Sequence, residues 1–86
     1  MPESELKRST VRNTVFLRRI DPQAGARFYT LVLKRDPYEQ VVMVRHWGRI
    51  GTPGREMVGQ HATEDEALNA MNALAEAKRR RGYQDL

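Results

Sequence analysis

The chain has 86 residues, contains no cysteine and carries a formal net charge of +4 at pH 7. Its length predicts one domain and leaves little room for the deep pocket that binds a small-molecule substrate. The lack of cysteine excludes disulfides and thiolate sites for zinc or iron–sulfur clusters. The longest apolar run, residues 41–44, is far shorter than the ~20 residues of a membrane-spanning helix. No signal peptide is visible, so the expected location is the cytoplasm, with association with the nucleoid as one version of it.

Arginine supplies most of the positive charge, with 12 Arg among the 15 basic residues. The planar guanidinium group pairs bidentately with phosphate and stacks on aromatic rings and bases. This composition favours a nucleic-acid ligand, although a genome rich in G and C would give the same bias through its codons.

The chain begins with polar and charged residues and then alternates in the manner of β-strands. Residues 1–13 lack apolar periodicity and predict a flexible tail, followed by a single domain over residues 14–86. Alternating β-branched and aromatic residues, separated by short turns, predict four strands at 15–20, 26–35, 40–50 and 55–61. The short connections predict antiparallel pairing of consecutive strands.

The apolar period changes after the fourth strand. Thr63, with Glu66 three residues later, is the pattern of a capping box. An apolar stripe at helical spacing follows, and Gly82 is placed to end the helix. The stripe contains Ala67, Leu68, Met71, Leu74 and Ala75. The predicted fold class is therefore α+β: a small antiparallel sheet of four or more strands with one C-terminal amphipathic helix packed on it.

The third predicted strand contains the chain's single tryptophan. Alternation along a strand puts Arg45, Trp47 and Arg49 on one side of it. A ring between two guanidinium groups suits nucleic acid, because the ring stacks on a base or sugar while arginine neutralises phosphate. The same pattern suits a core tryptophan that arginine covers through cation–π contacts, and spacing alone does not separate the two interpretations.

The sequence Trp47-Gly48-Arg49-Ile50-Gly51, followed by Gly54 and an alternating strand, resembles the hallmark of the WGR domain. The resemblance extends on both sides of this motif and covers residues 14–83. An aromatic second strand at 28–31, a helix entry at 62–67 and a basic Gly-Tyr ending at 78–83 are similar to the family's pattern. This resemblance implies a nucleic-acid-binding module rather than an enzyme.

The resemblance also implies roles for the residues of the motif. In DNA-dependent poly(ADP-ribose) polymerases this domain helps to bind DNA breaks, so Trp47 would pack against the sugar and base near a strand end. The arginine that matches Arg49 joins the domain to its neighbours in those enzymes. Since 86 residues leave no room for those neighbours, we expect Arg49 to contact phosphate instead. Gly48, Gly51 and Gly54 are the structural glycines of the motif, and Gly48 is expected to allow close approach of the backbone.

Other basic residues are weaker candidates for phosphate binding. Arg55 directly follows Gly54 and is either a phosphate ligand or a solvated loop residue. The run of Lys78, Arg79, Arg80 and Arg81 forms a secondary basic patch, although basic residues at a helix C-terminus also complement the helix dipole.

The sequence predicts no catalytic residue, cofactor or metal. It has no cysteine nucleophile and no glycine-rich phosphate loop followed by a Lys-Ser/Thr pair. The acidic residues 64–66 suit the first turn of a helix. His46 and His61 have no partner at metal-ligand spacing.

Two functional hypotheses follow. The first is a sequence-nonspecific nucleic-acid-binding module, with DNA favoured over RNA, in which Trp47 stacks and Arg45, Arg49 and Arg55 bind phosphates. The alternative is a protein-interaction domain whose Trp47 and Arg49 anchor a partner protein, with an unpaired edge strand as a route to a homodimer. Neither a membrane nor a small-molecule substrate is expected. A continuous basic face around Trp47 would favour the first hypothesis, and an apolar patch there the second.

Overall fold

A five-stranded antiparallel sheet with one helix across it forms the fold, seen in a computed structural model that describes residues 13–23 and 25–86. The elements in chain order are β1 (Thr14–Asp21), β2 (Gly25–Arg35), β3 (Val41–Arg49), β4 (Arg55–His61), α1 (Glu64–Arg80) and β5 (Gln84–Asp85). The strand order is β4-β3-β2-β1-β5, and all neighbours are antiparallel. The predicted α+β fold class is confirmed.

The four predicted strands are confirmed to within one residue at each end. The fifth strand was not predicted, because its two residues, Gln84 and Asp85, are both exposed and carry no apolar alternation. They pair with Arg18 and Leu17 of β1. β1 therefore lies inside the sheet, and among the described residues the edge strands are β4 and β5.

The predicted N-terminal tail, residues 1–13, lies outside the described residues apart from Asn13. The carbonyl oxygen of Asn13 accepts a hydrogen bond from the amide of Leu33 at 2.8 Å. This bond continues the pairing of β1 with β2 by one residue.

The core lies between α1 and the sheet face that the helix covers, here called the helix-side face. Alternation along the strands brings apolar side chains to this face, and each buried large one contributes roughly 1.5–3 kcal/mol. The helix adds three residues at a spacing of four. The buried side chains from the strands are Val15, Leu17, Tyr29, Leu31, Leu33, Val41 and Met43, and those from the helix are Ala67, Met71 and Ala75.

The N-terminus of α1 contains the predicted capping box. The amide of Glu66 donates to Oγ1 of Thr63 at 3.1 Å, and Oε1 of Glu66 accepts from the amide of Ala62 at 2.9 Å. The reciprocal bond thus reaches the residue before the cap. The Ala62 amide, followed by the His61 side chain, holds the pKa of Glu66 below its ordinary value. This contribution to stability is present above the ordinary carboxyl pKa and is lost as the pH falls through the lowered one.

The C-terminus of α1 is closed around Gly82. The amide of Gly82 donates to the Arg79 carbonyl at 3.0 Å, and the amide of Tyr83 donates to the Lys78 carbonyl at 3.1 Å. These two bonds form a Schellman motif, which suits Gly82 because its φ is +99°. Arg79 then donates to both carboxylate oxygens of Asp85 at 2.7 and 3.0 Å. The end of the helix is therefore tied to β5.

We predict that Thr63→Ala lowers the free energy of unfolding by about 1 kcal/mol, because the Glu66 amide loses its acceptor. Urea denaturation followed by circular dichroism measures this change. Thr63→Ser keeps the hydroxyl and serves as the control, with stability within a few tenths of the wild type. Equal stability of Thr63→Ala and Thr63→Ser would show that the cap contributes nothing.

Candidate nucleic-acid interface

Strand β3 carries the central residues of the candidate site. Arg45, Trp47 and Arg49 occupy alternate positions of β3 and share one side of the strand, as predicted. That side belongs to the helix-side face. Arg45 is half-buried, with its guanidinium carbon 5.8 Å from the centre of the Trp47 ring and one nitrogen 2.6 Å from the sulfur of Met57. Arg49 is exposed at the end of the strand.

The Trp47 ring packs against the core and is also partly exposed to solvent. It stacks on the buried ring of Tyr29, with centroids 5.8 Å apart and an interplanar angle of 22°. It also packs against the core while keeping part of its surface accessible. The ring is therefore held in place by the core and still presents surface to a ligand.

Lys78 and Tyr83 complete the surroundings of Tyr29. Tyr83 meets Tyr29 edge-on at 6.2 Å, and Nζ of Lys78 lies 4.5 Å from the Tyr29 ring centre and 5.8 Å from that of Tyr83. Burial lowers the pKa of Lys78, and the positive charges of Arg81 and Arg45 lower it further. Lys78, at the C-terminal end of α1, is therefore close enough to Arg45 of β3 for their positive charges to interact.

A row of three arginines crosses the sheet beside Trp47. Arg19 pairs with Arg27 across β1 and β2, and Arg27 pairs with Arg49 across β2 and β3. Arg19 binds Asp21 at 3.1 Å. Arg27 was not among the predicted site residues, although its spacing of two from Tyr29 and the hairpin register from Asp21 to Gly25 place it on this face.

Arg55 begins β4 directly opposite Trp47. It is exposed and lies on the helix-side face, since directly paired residues point to the same side of a sheet. Arg55 therefore lies beside Trp47 in the sheet as well as close to it in sequence.

The described residues hold a set of basic side chains around Trp47, here called the basic face: Arg27, Arg45, Arg49, Arg55, Lys78 and Arg81. Within residues 13–23 and 25–86, none of these six forms an ion pair with a carboxylate. The face is continuous across three strands and the end of the helix.

The predicted secondary basic patch, residues 78–81, does not act as one unit. Lys78 lies over the aromatic rings, whereas Arg79 is bound to Asp85 and Glu76. Its hydrogen bond to Asp85 raises the pKa of Arg79. Arg80 and Arg81 are exposed, and Arg81 lies close enough to Lys78 to affect its charge.

The glycines of the motif shape the connection between β3 and β4. A Cβ on Gly48 would lie 2.7 Å from the Cα of Gly54, and a Cβ on Gly54 would collide with the Trp47 carbonyl oxygen. The close approach expected at Gly48 is therefore made to Gly54 of the same chain. Gly51 faces open space and supplies a positive φ in the turn that ends β3. His46 fixes this loop from the opposite face, with Nε2 2.6 Å from the Pro53 carbonyl oxygen.

The part of the chain that the structure describes has no group of three or more His, Cys, Asp or Glu side chains placed to hold a metal ion. No helix within residues 13–23 and 25–86 has the length and hydropathy to cross a membrane.

Fold and site together define a small basic α+β domain with a conformationally fixed tryptophan–arginine motif. The sequence model of the WGR domain matches residues 13–86, and the chain therefore belongs to the WGR domain family. The chain is 34% identical over 70 residues to the uncharacterized protein y4dW of Sinorhizobium fredii, an alignment that covers 80% of this chain and 34% of that protein. The chain thus spans about a third of this relative's length. No solved structure was found to match the chain. In poly(ADP-ribose) polymerases the WGR domain is generally a nucleic-acid-binding module.

We predict that Gly54→Ala destabilises the fold by about 1–3 kcal/mol, because Gly54 has a φ of +73° and its new methyl group would meet backbone. Gly59→Ala, within the adjoining strand β4, is the control, since a Cβ there meets nothing within 4 Å. Urea unfolding of both variants measures the difference. A Gly54→Ala protein as stable as Gly59→Ala would contradict the close packing of this loop.

Proposed function

We propose that the chain binds DNA through the basic face, with Trp47 against a base or sugar and the arginines on phosphates. The observation that carries the proposal is the continuous positive surface around a half-exposed aromatic ring. Most contacts of this kind go to phosphate and sugar, which carry no sequence information directly, so binding would be nonspecific in sequence. The family's general role in poly(ADP-ribose) polymerases supports DNA as the ligand.

The arginine row supports an anionic ligand. Like charges directly opposite each other destabilise a sheet, and Arg27 faces Arg49 without a carboxylate from the described residues between them. A phosphate group bound there would relieve the repulsion. Arginine also matches phosphate geometry better than lysine does, because its planar fork donates two parallel hydrogen bonds.

The positions of the acidic residues also favour nucleic acid. Asp85 and Glu76 are bound to Arg79, and Asp21 is bound to Arg19. The acidic cluster at residues 64–66 occupies the first turn of α1, at the opposite end of the helix from Lys78. The carboxylates of Asp21, Glu76 and Asp85 are therefore each bound to an arginine that lies outside the basic face.

The rival proposal, a protein partner at Trp47, has less support. Beside Trp47 on the basic face, the exposed apolar side chain is Met57, whereas Phe16, Ile20 and Val58 are exposed on the opposite side of the sheet. A protein interface normally has an apolar centre with few charges.

We predict that the wild-type chain binds DNA with an affinity that falls about 100-fold between about 50 and 200 mM salt, if four phosphates are contacted. Fluorescence anisotropy with labelled blunt, nicked and single-stranded DNA measures both affinity and ligand preference. Trp47→Ala should weaken binding by about 1–3 kcal/mol for one stacked base, with folding checked by circular dichroism because the ring packs on Tyr29. The absence of binding by the wild type at low salt would remove the proposal and favour protein partners.

A second prediction distinguishes binding through the basic face from binding that depends only on the net positive charge of the chain. Arg27→Gln and Arg49→Gln should each reduce the slope of log affinity against log salt by about 1, because each removes one phosphate contact. Arg18→Gln removes the same charge from the side of β1 that is turned away from α1, and it should leave the slope nearly unchanged. Equal effects of all three variants would show that binding depends only on net charge.

A further inference from the structure

The two faces of the Trp47 ring have different surroundings. Tyr29, on β2, stacks on one of them, with ring centroids 5.8 Å apart. Tyr29 is itself buried in the core, so the space between the two rings is closed to a ligand. Because β3 lies between β2 and β4, the other face of the Trp47 ring is turned towards β4. A planar ligand can therefore stack on Trp47 only from the β4 side.

Strand β4 forms a shelf below this face of the ring. The shelf consists of Arg55, Met57 and Gly59, and is here called the β4 shelf. The register places Arg55 opposite Trp47 and Met57 opposite Arg45, so these side chains share the helix-side face. All three shelf residues are exposed, and a Cβ on Gly59 would meet nothing within 4 Å. Within residues 13–23 and 25–86, β4 is an edge strand. The shelf is therefore accessible from the side of the sheet.

Arg45 lies on the same side of the Trp47 ring as the shelf. One of its guanidinium nitrogens is 2.6 Å from the sulfur of Met57, and its guanidinium carbon is 5.8 Å from the centre of the Trp47 ring. A base between two planar groups needs about 7 Å, because each contact takes roughly 3.5 Å. An outward movement of the guanidinium by about 1 Å gives this space. Since arginine stacks on bases as well as on aromatic rings, Arg45 can then cover the second face of the base.

The positive charges lie on both sides of Trp47 along β3. Arg49 is on one side, with Arg27 opposite it on β2. Lys78 is on the other side, where its charge interacts with that of Arg45. A strand that ends at Trp47 would bring phosphates to one of these sides only, whereas a strand that continues past Trp47 brings them to both. The arrangement therefore favours an internal nucleotide over a strand end.

The accessible ring face also favours a single strand over a duplex. A base within a duplex can stack on a protein ring only after it has left its own stack. This step costs free energy, and the cost is smallest for a base that is already unpaired. Proteins that bind single strands combine a positively charged path for the backbone with aromatic rings that stack on the bases.

We propose that the β4 shelf binds an unpaired base from within a single strand of DNA, between the Trp47 ring and the Arg45 guanidinium. The backbone of this strand follows β3, with phosphates near Arg49 on one side of the base and near Lys78 on the other. Any base can stack in this way, so binding does not depend on sequence. The proposal rests on the DNA-binding role of the basic face and specifies the form of the DNA.

Two labelled single strands of equal length and charge test the stacking of a base. One is an oligothymidylate of about 30 nucleotides, longer than the roughly 4–16 nucleotides of a single-strand site, and the other is an abasic strand of the same backbone. Fluorescence anisotropy with the 86-residue chain at low salt should give about 5- to 150-fold tighter binding of the oligothymidylate, as expected for one stacked base. Trp47 is the only tryptophan of the chain. Its fluorescence should be quenched by the oligothymidylate and not by the abasic strand.

A circular oligothymidylate of the same length tests whether the bound nucleotide is internal. The circle has no strand end, so it should bind as tightly as the linear strand and quench Trp47 to the same extent. Binding of the linear strand without binding of the circle would overturn the proposal and favour a strand end at Trp47.

Arg45→Lys tests the second stacking group, because lysine keeps the charge and removes the planar guanidinium. This variant should bind the oligothymidylate severalfold more weakly and the abasic strand as the wild type does. Arg18→Lys makes the same change on the side of β1 that is turned away from α1, and it should bind both strands as the wild type does. An Arg45→Lys protein with unchanged affinity for the oligothymidylate would overturn the placement of the base between Trp47 and Arg45.

The abasic strand also separates this proposal from the DNA-binding role on which it rests. Equal affinity for the abasic strand and the oligothymidylate would overturn the stacking of a base and leave phosphate binding by the basic face intact. Failure of the wild type to bind any of these strands or duplex DNA at low salt would remove both proposals.

Discussion

The register of β2 against β3 places Tyr29 directly opposite Trp47, and their stacked rings link the core to the basic face. Tyr29 is buried beneath the end of α1, and Trp47 covers one side of it. A shift of one residue in this pairing would turn Trp47, Arg45 and Arg49 to the sheet face on the side away from α1, because the side-chain period of a strand is two. The core, the arginine row and the contact with the helix therefore depend on the same register. Stacking on the buried Tyr29 ring also holds the Trp47 ring in place, which would reduce the entropy lost if a ligand binds there.

The connection from β3 to β4 has a complementary role. Gly48 and Gly54 lie back to back, and only hydrogen in place of a side chain permits their approach. This contact permits a tight turn after β3, so that Arg55, the first residue of β4, lies opposite Trp47. His46 holds the loop through the Pro53 carbonyl from the other side of the sheet. The glycines thus help to determine where the charged side chains of β3 and β4 lie.

Much of this arrangement could be predicted from the sequence. The features that were not predicted were missed for physical reasons. Alternation and turn residues placed four strands, and the Thr63–Glu66 pair placed the start of the helix, because these are local signals. β5 was not predicted because its two exposed polar residues carry no strand pattern and are assigned to a strand only through their pairing with β1. Arg27 was missed because its importance arises from neighbours on two other strands. Arg79 was predicted as part of a basic patch, but its guanidinium group forms an ion pair with Asp85. This contact depends on the turn of the chain at Gly82 and is therefore not a local signal.

The capping of α1 has an electrical consequence for the whole molecule. Three acidic residues lie in its first turn and three basic residues in its last, about 25 Å apart along a 17-residue helix. These side chains offset the helix dipole and contribute a dipole moment of opposite sense. If the chain binds DNA as proposed, the field of the phosphates would exert a torque on this moment and turn the Lys78 end towards the DNA during approach. This orientation would raise the rate of productive encounter, and it would weaken as salt shortens the screening length. The residues that stabilise the helix ends would thereby also align the molecule before contact.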